Sequence, residues 1–393
     1  MTLALLMFAG GALLTLLTTP LVIRLACRCG AMDMPGERKL HDHPVPRLGG
    51  VALFGSFAAA SILALLLSPA IRASFMGSRD FWLSLAAGGT VVFLLGLYDD
   101  LRSASVWTKF VVQAGAAAII MGPGGVRITA FANPFDGSVQ LGWLWIPLTG
   151  LWIVGVTNAL NLIDGLDGLA GGVAFISVAT LFAIAFIHGQ RLQVVLVTAV
   201  LAGALLGFLK YNFHPARIFM GDCGSMFLGY VLAVLSVVGS SKRATALALL
   251  IPILILGIPV FDTLYSMGRR VGKKLVVDRE WQISSLWAMF RADKAHIHHT
   301  LMAMGYTHRR SVLILYGLSA LFGLMALAAV VLQNDRISFA LMLAGLVGFV
   351  VVKQFGRYIP LHVNAAHAAG GTEEGPKEPM EISKEERGFH ESK

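Results

Sequence analysis

Ser311-Val-Leu-Ile-Leu-Tyr-Gly-Leu-Ser-Ala-Leu-Phe-Gly-Leu-Met-Ala-Leu-Ala-Ala-Val-Val-Leu332 decides the fold class. It contains no Asp, Glu, Lys or Arg and is long enough to cross the roughly 30 Å hydrocarbon layer as a helix. Val51–Leu67 and Val173–Ile187 are equally free of charge. In hydrocarbon every backbone N–H and C=O must be satisfied within the protein, so such blocks are helices. The whole chain follows suit: 56% of its 393 residues are hydrophobic and 13% charged, against about 25% charged in a soluble domain.

Working outward from that block, about eleven apolar spans can be marked, near 2–23, 49–68, 81–98, 108–121, 144–160, 169–188, 192–209, 223–240, 244–267, 311–333 and 337–353. The expected fold is therefore an all-α polytopic membrane protein. The first span is not read as a cleaved signal, because no basic residue precedes it and Arg24 and Arg28 follow it. That order puts the N-terminus outside, and an odd number of spans puts the C-terminus in the cytoplasm. Alternating the loops on this basis places 24 of the 31 basic residues inside, as the positive-inside rule requires. The net charge of +9 is accordingly assigned to anionic lipid, with no nucleic-acid partner.

Residues 1–353 are read as one transmembrane domain and 354–393 as a disordered cytoplasmic tail, polar and acidic in places. Breaks at Gly, Pro and Asn-Pro around Ser138-Val-Gln-Leu suggest a small outer hairpin within 122–145. Cys27, Cys29 and Cys223 lack metal-ligand spacing and read as small buried residues in a reducing compartment.

A charge in mid-bilayer costs at least about 2.5 kcal/mol, so polar groups at span ends mark candidate sites. Five clusters fall in the segments that charge counting assigns to the cytoplasm. The first is the loop Asp33-Met-Pro-Gly-Glu-Arg-Lys-Leu-His-Asp-His-Pro-Val-Pro-Arg-Leu-Gly-Gly50. Its prolines impose an irregular path, and Arg38, Lys39, His41 and Arg47 suit phosphate binding as well as plain attachment to the membrane face. The second is Asp99-Asp100, adjacent carboxylates that need a cation or a base beside them, or that simply cap a helix next to Arg102. In the third, Asn158, Asn161 and Asp164 recur every third residue, and Asp164-Gly and Asp167-Gly then break the helix. Four amide or acid side chains in ten residues between apolar spans are hard to explain as packing.

The fourth cluster, Gly221-Asp222-Cys-Gly-Ser225, opens a span. Asp222 there is either a metal ligand beside a phosphate-binding helix start or an ordinary N-cap. The fifth is His296-Ile-His298-His299, which lacks the further Cys or acidic ligand of a zinc site and suits hydrogen bonding to a sugar or diphosphate. Asp262 reads as a helix cap or bridge.

In this order the segments resemble the polyprenyl-phosphate N-acetylhexosamine-1-phosphate transferases, within glycosyltransferase family 4. That family shows Asp-x-Pro-x-x-Arg-Lys-x-His-x-x-Pro-x-Pro-x-x-Gly-Gly, then Asp-Asp, Asn-x-x-Asn-x-x-Asp-Gly-x-Asp-Gly, Gly-Asp-x-Gly-Ser and His-x-His-His. The likeness covers about residues 1–353, and the first loop and His-Ile-His-His look like the branch acting on UDP-N-acetylglucosamine. Lys273–Trp281 matches no pattern of the family.

The resemblance implies transfer of N-acetylglucosamine-1-phosphate from UDP-N-acetylglucosamine to undecaprenyl phosphate. UMP would be released, and the product would be the first lipid-linked sugar of a cell-envelope polysaccharide such as O-antigen. It implies Mg²⁺, with Mn²⁺ as a substitute, on Asp222 and Asn161. Asp99 would deprotonate or orient the lipid phosphate with Asp100 beside it, and Asp164 and Asp167 would lie near the nucleotide. His296, His298 and His299 would contact diphosphate or sugar; Asn158, Arg38, Lys39 and His41 are further substrate contacts. It also implies a bacterial inner-membrane location with a cytoplasmic active site, and is compatible with a homodimer. Direct attack and a covalent aspartyl intermediate both remain open, as does another UDP-N-acetylhexosamine. An intramembrane prenyltransferase would carry Asp-x-x-x-Asp pairs on helices, and a transporter would hold its ionisable groups near the midplane.

Overall fold

The computed structural model describes residues 1–35, 43–133, 137–187, 192–240, 249–272, 274 and 296–358. In chain order the elements are α1 (Thr2–Cys29), β1 (Met32–Asp33), β2 (Val45–Pro46), α2 (Gly49–Leu67), α3 (Pro69–Met76), α4 (Arg79–Arg102), α5 (Val106–Met121), β3 (Ala130–Asn133) and β4 (Gly137–Gln140). They continue with α6 (Trp145–Ile163), α7 (Leu169–Ile187), α8 (Leu192–Asn212), α9 (Gly221–Ser240), α10 (Leu250–Ile255) and α11 (Gly257–Gly272). Three more close the series: α12 (Ile297–Ala303), α13 (His308–Leu332) and α14 (Asp335–Tyr358). The protein is an all-α, multi-pass membrane protein. Nine helices among the described residues are long and apolar enough to cross a bilayer.

Every apolar block of the sequence has a helical counterpart. Two of the eleven differ from a plain span. The block at 108–121 is the shorter helix α5, and 244–267 is divided into α10 and α11 at Leu256. Pro252 and Pro259 flank that break; each lacks the N–H of a helix interior and crowds the preceding turn. The expected hairpin is present, with Ala130 opposite Gln140 and Asn133 opposite Gly137 in an antiparallel pair. The last span runs on to Tyr358, so 354–358, expected as the start of the disordered tail, are helical in α14; the rest of the expected tail, from 359 onward, lies outside the described residues.

Lipid chains are as apolar as leucine, so the helices are held by close packing and hydrogen bonds and not by a difference in hydrophobicity. α1 accordingly leaves Leu5, Leu6, Leu13, Leu17 and Leu21 exposed along its outer face. At the other extreme, α9 is enclosed: Cys223, Met226, Leu228, Tyr230 and Leu232 through Leu235 have essentially no exposed surface. It is fixed from α6 by the Trp152 indole N–H donated to Ala233 O at 3.2 Å, and toward α5 by Tyr230 O–H to Ala116 O at 3.4 Å. Cys223 is buried, as expected; Cys27 and Cys29 are exposed, because they sit at the free end of α1. With α9 central, the ends of α4 and α6 and the start of α9 meet at one end of the bundle.

Candidate active site

The start of α9 is the pivot. Gly221 adopts φ +73°, and a Cβ there would lie 2.3 Å from Arg47 O and 2.7 Å from the Asp100 carboxylate. A side chain is excluded on both counts. The turn lets Asp100 reach the first free N–H groups of α9: its Oδ1 accepts from Asp222 N at 2.9 Å and its Oδ2 from Cys223 N at 3.0 Å. Asp100 thus caps α9 from a neighbouring helix, satisfying donors that a helix start leaves unpaired and adding negative charge at its positive end.

Asp222, relieved of capping, turns its carboxylate elsewhere. Oδ1 accepts from Asn161 Nδ2 at 3.0 Å, and Oδ2 from Lys109 Nζ at 3.0 Å. Asn161 also donates to Ser225 Oγ at 2.9 Å, which leaves its carbonyl oxygen for another partner. Lys109, near the start of α5, pairs with Asp99 as well and so bridges two carboxylates. Asp99 further accepts from Ala104 N at 2.6 Å.

Beside this group lies a cavity of about 280 Å³ lined by Asp33, Arg47, Asp164, Asp167, Asp222 and His299, among others. Burial first, then the charges of Asp222, Asp100 and Asp167, pushes the Asp164 carboxyl up to about 8. A buried carboxyl crowded by three other acidic groups marks a place where a cation would be favoured. The donors offered are carboxylate and amide oxygens, the set that hard divalent cations select. Asp222, Asp164 and the Asn161 carbonyl oxygen therefore fit Mg²⁺.

The second Asp-Gly carboxylate is engaged differently. Asp167 Oδ2 meets His214 Nδ1 at 2.8 Å and accepts from Ala216 N at 3.1 Å, while His308 stacks on His214 with ring centroids 4.3 Å apart.

The three loop histidines divide as well. His299 lines the cavity. His298 is buried against the Asp164-Gly165 turn, where a Cβ on residue 165 would come within 2.7 Å of His298 Nε2. Burial, with His299 next to it, lowers the His298 imidazole to about 3, so it is neutral at physiological pH. His296 is buried behind them and held at Nδ1 by Asp262 at 2.7 Å. Asn158 lies deeper along α6, in a reciprocal amide pair with Gln113: Asn158 Nδ2 donates to Gln113 Oε1 at 2.6 Å. Arg38, Lys39 and His41 lie outside the described residues.

Structure thus gathers Asp99, Asp100, Asn161, Asp164, Asp167, Asp222 and His299 at one end of the bundle. Arg47, from the first loop, lines the same cavity, and the structure adds Lys109, His214 and His308, which the sequence did not mark as site residues. A lysine one turn inside an apolar helix was the available signal for Lys109.

Comparison with known proteins falls in line with this geometry. Residues 82–240, which run from within α4 to the end of α9, match the family described as Glycosyl transferase family 4. A Bacillus subtilis (strain 168) protein described as "Probable undecaprenyl-phosphate N-acetylglucosaminyl 1-phosphate transferase" is 40% identical over 331 residues, 84% of this chain and 85% of the relative. A "Decaprenyl-phosphate N-acetylglucosaminephosphotransferase" of Mycobacterium tuberculosis (strain ATCC 25618 / H37Rv) is 35% identical over 373 residues, 89% of this chain and 87% of the relative. An Escherichia coli (strain K12) "Undecaprenyl-phosphate alpha-N-acetylglucosaminyl 1-phosphate transferase" is 26% identical over 316 residues, 78% of each chain.

Proposed function

The chain belongs to glycosyl transferase family 4, among the polyprenyl-phosphate N-acetylhexosamine-1-phosphate transferases, and from that premise we propose that it moves N-acetylglucosamine-1-phosphate from UDP-N-acetylglucosamine to undecaprenyl phosphate. An oxygen of the lipid phosphate attacks the β-phosphorus of the nucleotide sugar. The bond from that phosphorus to the bridging oxygen breaks, and UMP leaves with the electron pair. The product is a polyprenyl-diphospho-sugar, the starter of an envelope polysaccharide, made at the cytoplasmic side of the inner membrane.

The observation that carries this reading is the cluster of Asp99, Lys109, Asp222 and Asn161 beside a polar cavity at the end of the spans. One substrate is a lipid and the other is water-soluble, so the reaction needs a site where the bilayer ends. Nucleophile and leaving group are both anionic, and the barrier is largely electrostatic. Asp222, Asp164 and Asn161 would hold Mg²⁺, which when bound offsets charge on the diphosphate. Lys109 holds Asp99 and Asp222 in fixed relation, and Asp99 receives or orients the phosphate that attacks. Asp99 already accepts from Lys109 and Ala104 N, contacts that stabilise its anionic form and so suit an orienting group better than a covalent nucleophile. Arg47 faces the anionic substrates from the first loop, and His299 faces the diphosphate.

The test is a panel of radiolabelled UDP-sugars given to the purified protein with undecaprenyl phosphate and Mg²⁺. Label should enter the lipid from UDP-N-acetylglucosamine with release of UMP. Transfer from a different UDP-N-acetylhexosamine alone would reassign the sugar, and no transfer from any would remove the proposal.

A further inference from the structure

The C-terminal span carries a lysine that the reaction as described does not use. Lys353 of α14 is 1% exposed and donates to Asp262 Oδ1 of α11 at 2.5 Å and to Ser266 Oγ at 3.4 Å. Its ammonium also lies 4.6 Å from the centre of the Tyr265 ring, a cation–π position. Asp262, with no exposed surface, is shared by two further donors. Its Oδ2 meets His296 Nδ1 at 2.7 Å, and its Oδ1 accepts the Ile297 backbone N–H at 3.0 Å. Ile297 is the first residue of α12, so one carboxylate both orients His296 and caps the helix that bears His298 and His299.

A buried ion pair is poor evidence of stabilisation, because apolar replacements of similar volume are often neutral or better. Snorkelling is the ordinary fate of a lysine near a span end, and Lys353 does the reverse by turning inward. Its position is explained if Asp262 must stay ionised in a place water does not reach. The ammonium balances that charge.

We propose that Lys353 is a positioning residue of the transfer reaction. It holds the Asp262 carboxylate in place beside His296, and Asp262 in turn fixes the start of α12. From there the chain of contacts is short: His296 and His298 rings lie parallel with centroids 6.1 Å apart, His298 touches Gly165, and His299 reaches the cavity. The inference rests on the proposed function for what His299 faces, but not for the anchoring itself. It makes the last span part of the active-site architecture, although α14 contributes no group to the cavity.

The test uses full-length purified Lys353→Met, Asp262→Asn and the double variant. Two readouts are taken, UMP release and carbethoxylation of His296 and His298 by diethyl pyrocarbonate followed by mass spectrometry. In Lys353→Met, kcat should fall on the order of 100-fold, as a small misplacement of a contacting group does, with KM for both substrates little changed. His296 and His298, protected in the wild type, should become reactive. Adding Asp262→Asn leaves no unpaired charge and should recover part of both losses. Wild-type kcat and protection in Lys353→Met would overturn the proposal, as would a double variant no better than Lys353→Met. If Lys353→Met fails to accumulate, accumulation of the double variant supports the charge-balancing role, and its failure contradicts it. Absence of transfer in the wild type would defeat the proposed function alone, since histidine protection is read without activity.

Discussion

Asp100 and Asp222 belong to different helices, yet the Asp100 carboxylate receives the Asp222 backbone N–H at 2.9 Å. That single bond separates the work of three neighbouring carboxylates. Asp100 holds the start of α9, Asp222 is left free to face Asn161 and Lys109, and Asp99 turns to the other side of the same lysine.

Asp100→Ala leaves two helix-start N–H groups without their acceptor in a buried place. Losing a cap costs about 0.5–2 kcal/mol, with a further 1–3 kcal/mol or so when a buried donor goes unsatisfied. The variant should melt at lower temperature in detergent, and Asp100→Asn, which retains one acceptor oxygen, should fall between it and wild type. Equal melting of Asp100→Ala and wild type would mean that the cap contributes nothing.

Lys109→Met removes the cation between Asp99 and Asp222 but keeps most of the side-chain volume. The expected loss is on the order of 100-fold or more in transfer rate, the scale for removing one preorganised charge contact, at unchanged protein abundance. Steady-state UMP release from purified protein decides it; a rate within about twofold of wild type contradicts this role.

Most of the architecture was legible because membrane spans are written locally. Ser311–Leu332 became the core of α13, and the other apolar blocks became helical, 244–267 as the pair α10 and α11. The period-three pattern of Asn161 and Asp164 likewise marked a site end, since two groups one turn apart share a helix face. What could not be read was pairing across the sequence. Lys109 lies 113 residues from Asp222, and Lys353 lies 91 from Asp262. Each looked like one more basic residue in a topology count. Asn158 continued the same period but is absorbed by Gln113, on a helix whose packing no local pattern specifies.

Asp164 carries its proton up to about pH 8 in the metal-free protein, because burial and neighbouring carboxylates disfavour the ionised form. The unfolded chain loses that proton near pH 4. This group's contribution to stability is therefore greatest at acid pH and is lost as pH rises from about 4 through 8. A divalent cation reverses the preference. Adding Mg²⁺ at pH 7 should release a proton, measurable by calorimetry in buffers of different ionisation enthalpy, and Asp164→Asn should release far less. Buffer-independent heats in the wild type would exclude Asp164 from the metal site.

Orientation is tested by thiol labelling from outside intact cells, in a Cys27→Ser, Cys29→Ser background because those two cysteines are exposed. Impermeant reagent should reach Arg336→Cys, at the start of α14 just after the short turn from α13, and not Thr300→Cys on the histidine helix. The reverse pattern would invert the topology and place the cavity on the wrong face for a cytoplasmic nucleotide sugar.

We propose that Asp222, freed from capping and held by Asn161 and Lys109, supplies the metal-binding carboxylate of a phosphosugar transfer. Mg²⁺-dependent UMP release from UDP-N-acetylglucosamine by purified Asp222→Asn tests it most directly. Release should be abolished at every Mg²⁺ concentration while the protein accumulates and melts as wild type does. Wild-type rates with wild-type Mg²⁺ dependence in that variant would contradict it.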